Sequence, residues 1–279
     1  VGVKRVVLVT PPQKDGTINN LILAAAYELG VQEIYKVGGA QAIAALALGT
    51  GSIKPVDKIV GPGNIYVTLA KQLVSGFVGI DKLAGPSDSV IIADDSVSPK
   101  IVAADLIVQA EHDALASSIL ITTSESLADL VNIELKNMVK GLSRAAVIKK
   151  SFAARGAIFI VPNLEEAVAL SNKIAPEHLE LLTQDPKGLF DKVENAGAVF
   201  LGPYSPEVLG DYYAGTNHVL PTGGTARFSS PLGVMDFVKA TSFLKYTKEG
   251  LSAVAEDVQK LALLEGFDGH AGAIKARKE

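Results

Sequence analysis

Hydrophobic residues along the chain alternate between short β-branched runs and longer stretches with helical spacing. In the amino-terminal part this pattern predicts strands at 6–10, 33–37 and 58–60, and helices at 18–29, 41–48 and 65–74. Each strand leads into a helix through a short polar turn. This repeated order indicates a parallel sheet with right-handed crossover connections.

The same alternation resumes near Ser87, with predicted strands at 90–93, 119–122, 158–161 and 198–201 and predicted helices at 103–112, 126–139 and 164–174. Pro99 and Asn163 stand where helices should begin. From about Leu232 the strand pattern fades, and 251–264 predicts one amphipathic helix. The predicted fold is α/β: two side-by-side, incomplete Rossmann-like parallel-sheet domains (1–87 and 88–231) and a helical C-terminal tail (232–279). We expect the tail to dock on a partner subunit.

Composition and charge indicate which kinds of molecule the protein binds. The chain has 279 residues, 20% of them charged, and a net charge of -4 with both signs mixed. Because no basic stripe or long apolar segment stands out, we expect small-molecule partners and neither nucleic acid nor membrane. The absence of cysteine excludes disulfides and thiolate metal sites and is compatible with the cytoplasm. The abrupt start at Val1, without Met, suggests a fragment.

The histidines suggest a metal site. Gln109 and His112 are three residues apart on a predicted helix, so their side chains share one face. Without cysteine, a zinc site must use nitrogen and oxygen ligands, and Asp211 and His270 are the natural remaining donors. Spacing alone leaves open that His112 only ends its helix and that His270 is a surface residue.

Glu177 and His178 form a second candidate site. Pro176 ends the preceding helix, so the pair opens the next predicted strand at a sheet edge. Adjacent Glu and His side chains suit two separate proton transfers. The dipeptide alone is more typical of ordinary solvated residues than of a catalytic pair.

Two glycine-containing turns offer polar groups beside accessible backbone. Gly-Pro-Ser-Asp at 85–88 presents the Ser87 hydroxyl, and Gly-Pro-Gly-Asn at 61–64 presents the Asn64 amide before a helix whose amino end favours phosphate. Plain turn chemistry explains both equally well. The long polar loop 211–227 is typical of a functional segment, and within it we expect His218 to be structural, bonding the loop to itself.

Seven short motifs in this order resemble histidinol dehydrogenase over essentially the whole chain. They are Val-Gly-Gly-Ala-Gln-Ala from Val37, Gly-Pro-Gly-Asn, Ala-Gly-Pro-Ser from Ala84, Gln-Ala-Glu-His, Ala-Pro-Glu-His-Leu-Glu, Gly-Thr-Asn-His-Val-Leu-Pro-Thr and Glu-Gly-Phe-Asp-Gly-His. Members of this family look like domain-swapped homodimers, and their chains begin earlier by roughly a third. The missing part would supply some of the second α/β domain, a dimer arm and a tyrosine that contacts NAD.

The resemblance implies a role for each candidate residue. Glu177 and His178 would be the catalytic pair, and Gln41 and Asn64 would contact NAD. Zinc would be held by Gln109, His112, Asp211 and His270. The substrate would be contacted by Ser87, Gln109, His112, His178, Asp211, Glu265 and His270. The tail that carries Glu265 and His270 would complete the site of the neighbouring subunit.

The expected activity is zinc-dependent, NAD-linked oxidation of L-histidinol through L-histidinal to L-histidine, the last steps of histidine biosynthesis. Two alternatives stay open. One is a zinc hydrolase in which Glu177 activates a metal-bound water. The other is a catalytically incomplete fragment of the dehydrogenase.

Overall fold

The computed structural model describes residues 1–83 and 85–277, so Ala84, the first residue of the predicted Ala-Gly-Pro-Ser turn, lies outside the described residues. The chain divides into two compact units, Val1–Phe237 and a second that begins at Val238. Within the described residues, every helix is too short or too polar to cross a membrane.

The amino-terminal part of the first unit contains two short parallel strand pairs. Strand β1 (Val7–Val9) pairs with β2 (Glu33–Tyr35), and β3 (Lys58–Ile59) pairs with β4 (Gly79–Ile80). The helices are α1 (Asn20–Glu28), α2 (Gly39–Leu48) and α3 (Ile65–Val74). The predicted parallel pairing is therefore confirmed, but the strands form two separate pairs and not one continuous sheet. Strand β4 was not predicted from the sequence, because a strand of two residues has too few positions to show an alternating pattern.

A buried ion pair closes the glycine-rich turn before α3. Lys71 contacts Asp81 and donates to the Gly61 carbonyl at 2.8 Å, and the Asp81 carboxylate accepts from the Gly61 N–H at 2.8 Å. The Lys71 and Asp81 side chains are only 3% and 0% exposed. Because both charges are out of water, each depends on the other for compensation.

We expect Lys71→Met to lower the free energy of unfolding by about 3–5 kcal/mol, since it leaves Asp81 buried and unpaired. Urea denaturation measures this change. The control is Lys192→Met, which breaks the solvated pair with Glu165. It should cost at most about 1 kcal/mol. Equal losses of unfolding free energy in the two variants would contradict the conclusion that burial makes the Lys71–Asp81 pair more important for stability.

The rest of the first unit is built on a five-stranded parallel sheet. Its strands are β5 (Asp88–Ala93), β6 (Ser117–Thr122), β7 (Gly156–Ile160), β8 (His178–Leu182) and β9 (Ala198–Leu201), in the order β7-β6-β5-β8-β9. The helices are α4 (Pro99–His112), α5 (Glu125–Met138), α6 (Ala145–Arg155), α7 (Leu164–Ile174), α8 (Pro186–Phe190) and α9 (Glu207–Tyr212).

Both faces of this sheet are covered, as its near-continuous apolar strands require. Ile91 and Leu120 pack into a core with helices α4 and α5 on one face, and Ile92 and Leu179 pack into a second core with α7 on the other. The predicted helix starts are confirmed: Ser98 caps α4 directly before Pro99, and Asn163 accepts from the Glu166 N–H at 2.8 Å.

The amino ends of the strands form the edge of the sheet where the predicted residues gather. Strand β8 begins at His178, and its neighbour β5 begins at Asp88. Helix α4 returns from the carboxyl end of β5, so its last residue, His112, lies just before the start of β6 at Ser117. In open α/β sheets ligands usually bind at the carboxyl ends of the strands, so this candidate site lies at the opposite edge.

The second unit contains α10 (Lys248–Leu264) and α11 (Asp268–Lys275), packed against each other. The predicted helix 251–264 is confirmed and begins three residues earlier, where Thr247 accepts from the Gly250 N–H at 3.0 Å. Gly266 makes the turn between the helices at a φ of 78°, a backbone conformation that favours glycine.

Candidate active site

Gln109, His178 and Glu207 meet in a buried cluster at this edge. His178 is 3% exposed, Gln109 0% and Glu207 1%. One terminal atom of the Gln109 carboxamide lies 3.1 Å from Nδ1 of His178 and 3.0 Å from Oε1 of Glu207. Nδ1 itself lies 3.5 Å from the same Glu207 oxygen. One nitrogen of the imidazole is thus held by the protein, while Nε2 is buried and has no hydrogen-bond partner among the described residues.

The protonation of Glu207 decides how this cluster is bonded. Burial raises the pKa of Glu207 to about 9, and the nearby Asp211 and Glu177 carboxylates add to the shift. A protonated Glu207 donates to the Gln109 oxygen, which also accepts the Nδ1–H of His178. A charged Glu207 requires the Gln109 nitrogen instead, which would donate to it. The first arrangement leaves the Nε2 lone pair of His178 free to take a proton.

His178 is held neutral. Burial is the main cause that lowers the pKa of His178 to about 3, and the neighbouring His218 and His112 contribute to the same shift. A neutral imidazole with a free lone pair is the form that acts as a general base.

A cluster suited to a cation lies next to His178. His112, Glu207 and Asp211 each offer a ligand atom, and these three atoms lie within 4.8 Å of one another. The Asp211 side chain is 7% exposed, and its buried Oδ1 has no aligned hydrogen bond although Nδ1 of His218 is 2.8 Å away. His112 ends helix α4, whose carboxyl end carries partial negative charge that favours a cation. Nitrogen and carboxylate donors with an unsatisfied oxygen fit a zinc ion.

Glu177 adjoins the cluster and is bonded to its neighbours in the sheet. Its Oε2 accepts from the Asp88 N–H at 3.3 Å, and its own N–H donates to Oδ2 of Asp88 at 3.2 Å. Burial raises the pKa of Glu177 to about 8, the Asp88 charge adds to this, and a hydrogen bond from the Ser87 side chain opposes it. At neutral pH such a carboxyl group is poised between acid and base.

The predicted loop 211–227 borders the same site, but its first two residues belong to α9 and its last three form a short 3-10 helix, Thr225–Arg227. His218 lies beside Asp211 at its start, and the His218 ring stacks on His178 with centroids 6.4 Å apart. The Gly85 N–H donates to Oγ1 of Thr222 at 2.6 Å. The loop is thus held to the turn that carries Ser87.

The remaining predicted residues belong to the amino-terminal part of the first unit and to the second unit. Gln41 is an exposed residue in the first turn of α2. Asn64 caps α3, because its side-chain oxygen accepts from the Tyr66 N–H at 3.1 Å. The structural role that the sequence left open for Asn64 is therefore present. Glu265 ends α10 and His270 lies in α11, stacked on Phe267 with centroids 4.9 Å apart. Glu265 and His270 belong to the second unit and the other predicted metal ligands to the first. The ligand, substrate and NAD assignments stay predictions.

Sequence reasoning missed three buried carboxyl groups: Glu207, Glu180 and Asp105. Two had a readable signal, because Glu207 precedes Asp211 by four residues, one helical turn, and Glu180 follows His178 by two on β8. Glu180 is 1% exposed and accepts from the Glu207 N–H at 3.4 Å. Burial and mutual repulsion raise the pKa of Glu180, and burial raises the pKa of Asp105.

We expect Glu180→Gln to weaken the dependence of stability on pH. The folded-state pKa of Glu180 is above its unfolded value, so the stability it contributes is complete below the unfolded pKa and is lost as pH rises through the folded pKa. One such group lowers the free energy of unfolding by up to about 1.4 kcal/mol per pH unit. Urea denaturation from about pH 6 to 9 should give a shallower slope for Glu180→Gln than for the exposed control Glu28→Gln. Equal slopes would contradict a protonated Glu180.

Comparisons with known proteins agree on one family. The family model described as histidinol dehydrogenase matches residues 1–278. The chain is 58% identical over 278 residues to histidinol dehydrogenase of Bacillus cereus and 55% identical over 276 residues to that of Clostridium acetobutylicum. These matches cover 100% and 99% of this chain but only 65% and 64% of the relatives, so the chain spans about two thirds of their length.

A solved structure gives the same result. The crystal structure of histidinol dehydrogenase from Elizabethkingia anophelis superposes with a TM-score of 0.91 at 42% identity, covering 99% of this chain and 64% of that one. At this identity the likeness extends beyond the fold. The chain belongs to the histidinol dehydrogenase family.

Proposed function

We propose that this chain carries most of the active site for the zinc-dependent, NAD-linked oxidation of L-histidinol through L-histidinal to L-histidine, the end of histidine biosynthesis. The observation that carries the proposal is the buried Nε2 of His178, which has no hydrogen-bond partner among the described residues, on a residue that follows Glu177 and contacts Glu207 of the cation cluster. Relatives that share more than half of its sequence are named histidinol dehydrogenase.

The metal proposal rests on donor chemistry. Gln109, His112, Asp211 and His270 would hold the zinc ion, with Glu207 beside them. When bound, zinc supplies a Lewis-acid anchor that fixes the amino alcohol by its nitrogen atoms. Substrate contacts are proposed for the metal-site residues and for Ser87, His178 and Glu265.

His178 and Glu177 divide the proton transfers. In the first stage, Nε2 of His178 takes the hydroxyl proton of the alcohol, which its neutral state and free lone pair allow. In the second stage, the Glu177 carboxylate takes a proton from the water that attacks the aldehyde. NAD, when bound, would supply the hydride acceptor for both stages. Gln41 and Asn64 are the proposed NAD contacts, since the amino end of α3 suits a phosphate group.

A swapped homodimer would bring His270 and Glu265 to the site. The described part of the second unit exposes large apolar side chains, among them Phe243, Leu244 and Leu264. Such exposed apolar surface is typical of an interface. We therefore propose that the tail, 232–279, docks on the partner. In this proposal domain 1–87 binds NAD, and domain 88–231 carries the catalytic pair and most of the metal ligands. The cytoplasm is the proposed location of this reaction.

Absorbance of reduced nicotinamide tests the proposal. The protein is incubated with zinc, NAD and histidinol, both as this chain and with the preceding segment that longer relatives possess. We expect two reduced nicotinamides per histidine formed, at least from the longer chain. Activity of the longer chain alone would make this chain an incomplete fragment. Absence of the signal from both would overturn the dehydrogenase proposal and favour a zinc hydrolase.

A further inference from the structure

Asp88 lies at the junction of three segments that border the candidate site. It begins β5, beside the Ser87 turn, and both of its carboxylate oxygens accept hydrogen bonds from outside its own strand. We propose that Asp88 is a positioning residue that fixes the Glu177 carboxylate and the loop 211–227 relative to each other. This inference rests on the proposed role of Glu177 in the second oxidation.

The first part of the argument is the reciprocal pair between Asp88 and Glu177. Oδ2 of Asp88 accepts the Glu177 N–H at 3.2 Å, while the Asp88 N–H donates to Oε2 of Glu177 at 3.3 Å. These two bonds close a ring between the start of β5 and the residue before β8, two neighbouring strands. The ring fixes the backbone of Glu177 and one oxygen of its side chain together. A carboxylate that must deprotonate a single water gains from such fixed geometry.

The second part is the other oxygen of Asp88. Oδ1 accepts from the Gly223 N–H at 2.8 Å, and Thr222, the preceding residue, accepts from the Gly85 N–H. The loop that follows α9 is therefore anchored on the same side chain that orients Glu177. Only a carboxylate accepts at two oxygens in this way, whereas an asparagine side chain has one acceptor oxygen.

A matched control exists on the same strand. Asp94 follows the carboxyl end of β5, where Oδ2 accepts from the Gln184 N–H at 3.0 Å and Oδ1 accepts from the Ser96 N–H at 3.0 Å. It uses both oxygens on backbone N–H groups, as Asp88 does, and connects the same two strands. It lies at the edge of the sheet opposite His178, so its loss should affect stability but not the candidate site.

The test measures alcohol and aldehyde oxidation separately, supplying histidinol or histidinal to the zinc-loaded protein. For Asp88→Asn we expect kcat for aldehyde oxidation to fall about tenfold to a hundredfold, with KM for histidinal and the alcohol rate changed by less than about threefold. Asp94→Asn should leave both rates within about threefold of the parent. Asp88→Glu, which keeps two acceptor oxygens but displaces them by a methylene, should show the same selective loss if Asp88→Asn does not fold.

Equal losses in the two half-reactions, or no loss in either, would overturn the inference. Glu177→Gln is run in parallel to separate two kinds of failure. If it leaves aldehyde oxidation intact, the proposed role of Glu177 is wrong. If it abolishes aldehyde oxidation while Asp88→Asn does not slow it, only the positioning role of Asp88 is wrong.

Discussion

Substituting His112 by alanine is expected to lower the affinity of the protein for zinc by at least about a hundredfold, since even residues that only orient metal ligands contribute tenfold to a hundredfold. The imidazole is the nitrogen donor of the His112, Glu207 and Asp211 cluster. Its removal takes away one of the two nitrogen donors in the proposed ligand set, and the oxygen-rich set that remains suits magnesium or calcium better than zinc. Metal content per chain after dialysis against a weak chelator measures the loss.

Two further variants identify the fourth ligand. His270→Ala should lose zinc to a similar extent if the second unit supplies a donor, as the family resemblance implies. Glu207→Gln should lose less, because Glu207 contacts Gln109 and would act by orienting that ligand. The reverse order, with zinc retained in His270→Ala and lost in Glu207→Gln, would make Glu207 the ligand and His270 a bystander. Circular dichroism of each variant controls for folding.

The sequence predicted the regular elements well where local signals mark their limits. Helices α3 and α7 begin and end at the predicted residues, because Asn64 and Asn163 cap them. The start of β5 was predicted two residues late, since Asp88 and Ser89 are polar and interrupt the β-branched run. These two residues lie at the end of β5 that borders the candidate site. The hydrophobic pattern of the strand is therefore interrupted at the position where functional residues are expected.

The candidate site was harder to predict for a different physical reason. His112 and Asp211 were expected to converge, and the structure brings their ligand atoms within 4.8 Å. Glu207 and Glu180 went unnoticed because carboxyl groups are rarely buried, and sequence patterns place them at the surface. Their burial depends on the packing of α4 and α9 against β8, which brings together residues far apart in the chain. No local pattern carries that information.

Substituting Glu177 by glutamine is expected to lower the rate of aldehyde oxidation by at least about a hundredfold, within the usual range for a general base. Glutamine keeps the shape and still has an oxygen to accept the Asp88 N–H, so the backbone of β8 should stay in place. It cannot take a proton from water. Alcohol oxidation, in which His178 takes the proton, should change by only a few-fold. Single-turnover formation of reduced nicotinamide from histidinol and from histidinal separates the two rates.

The pH dependence supplies an independent check on the same residue. With a pKa of about 8, Glu177 is mostly protonated at pH 7, so aldehyde oxidation by the parent should rise as pH increases through about 8. Bound zinc would favour the charged carboxylate and move this rise to lower pH. In Glu177→Gln the rise should vanish, because the variant has no proton to lose there. His178→Asn gives the contrast, since it should slow alcohol oxidation more strongly than aldehyde oxidation. If Glu177→Gln instead slows both stages equally, the two residues act as one unit and the division of proton transfers is wrong.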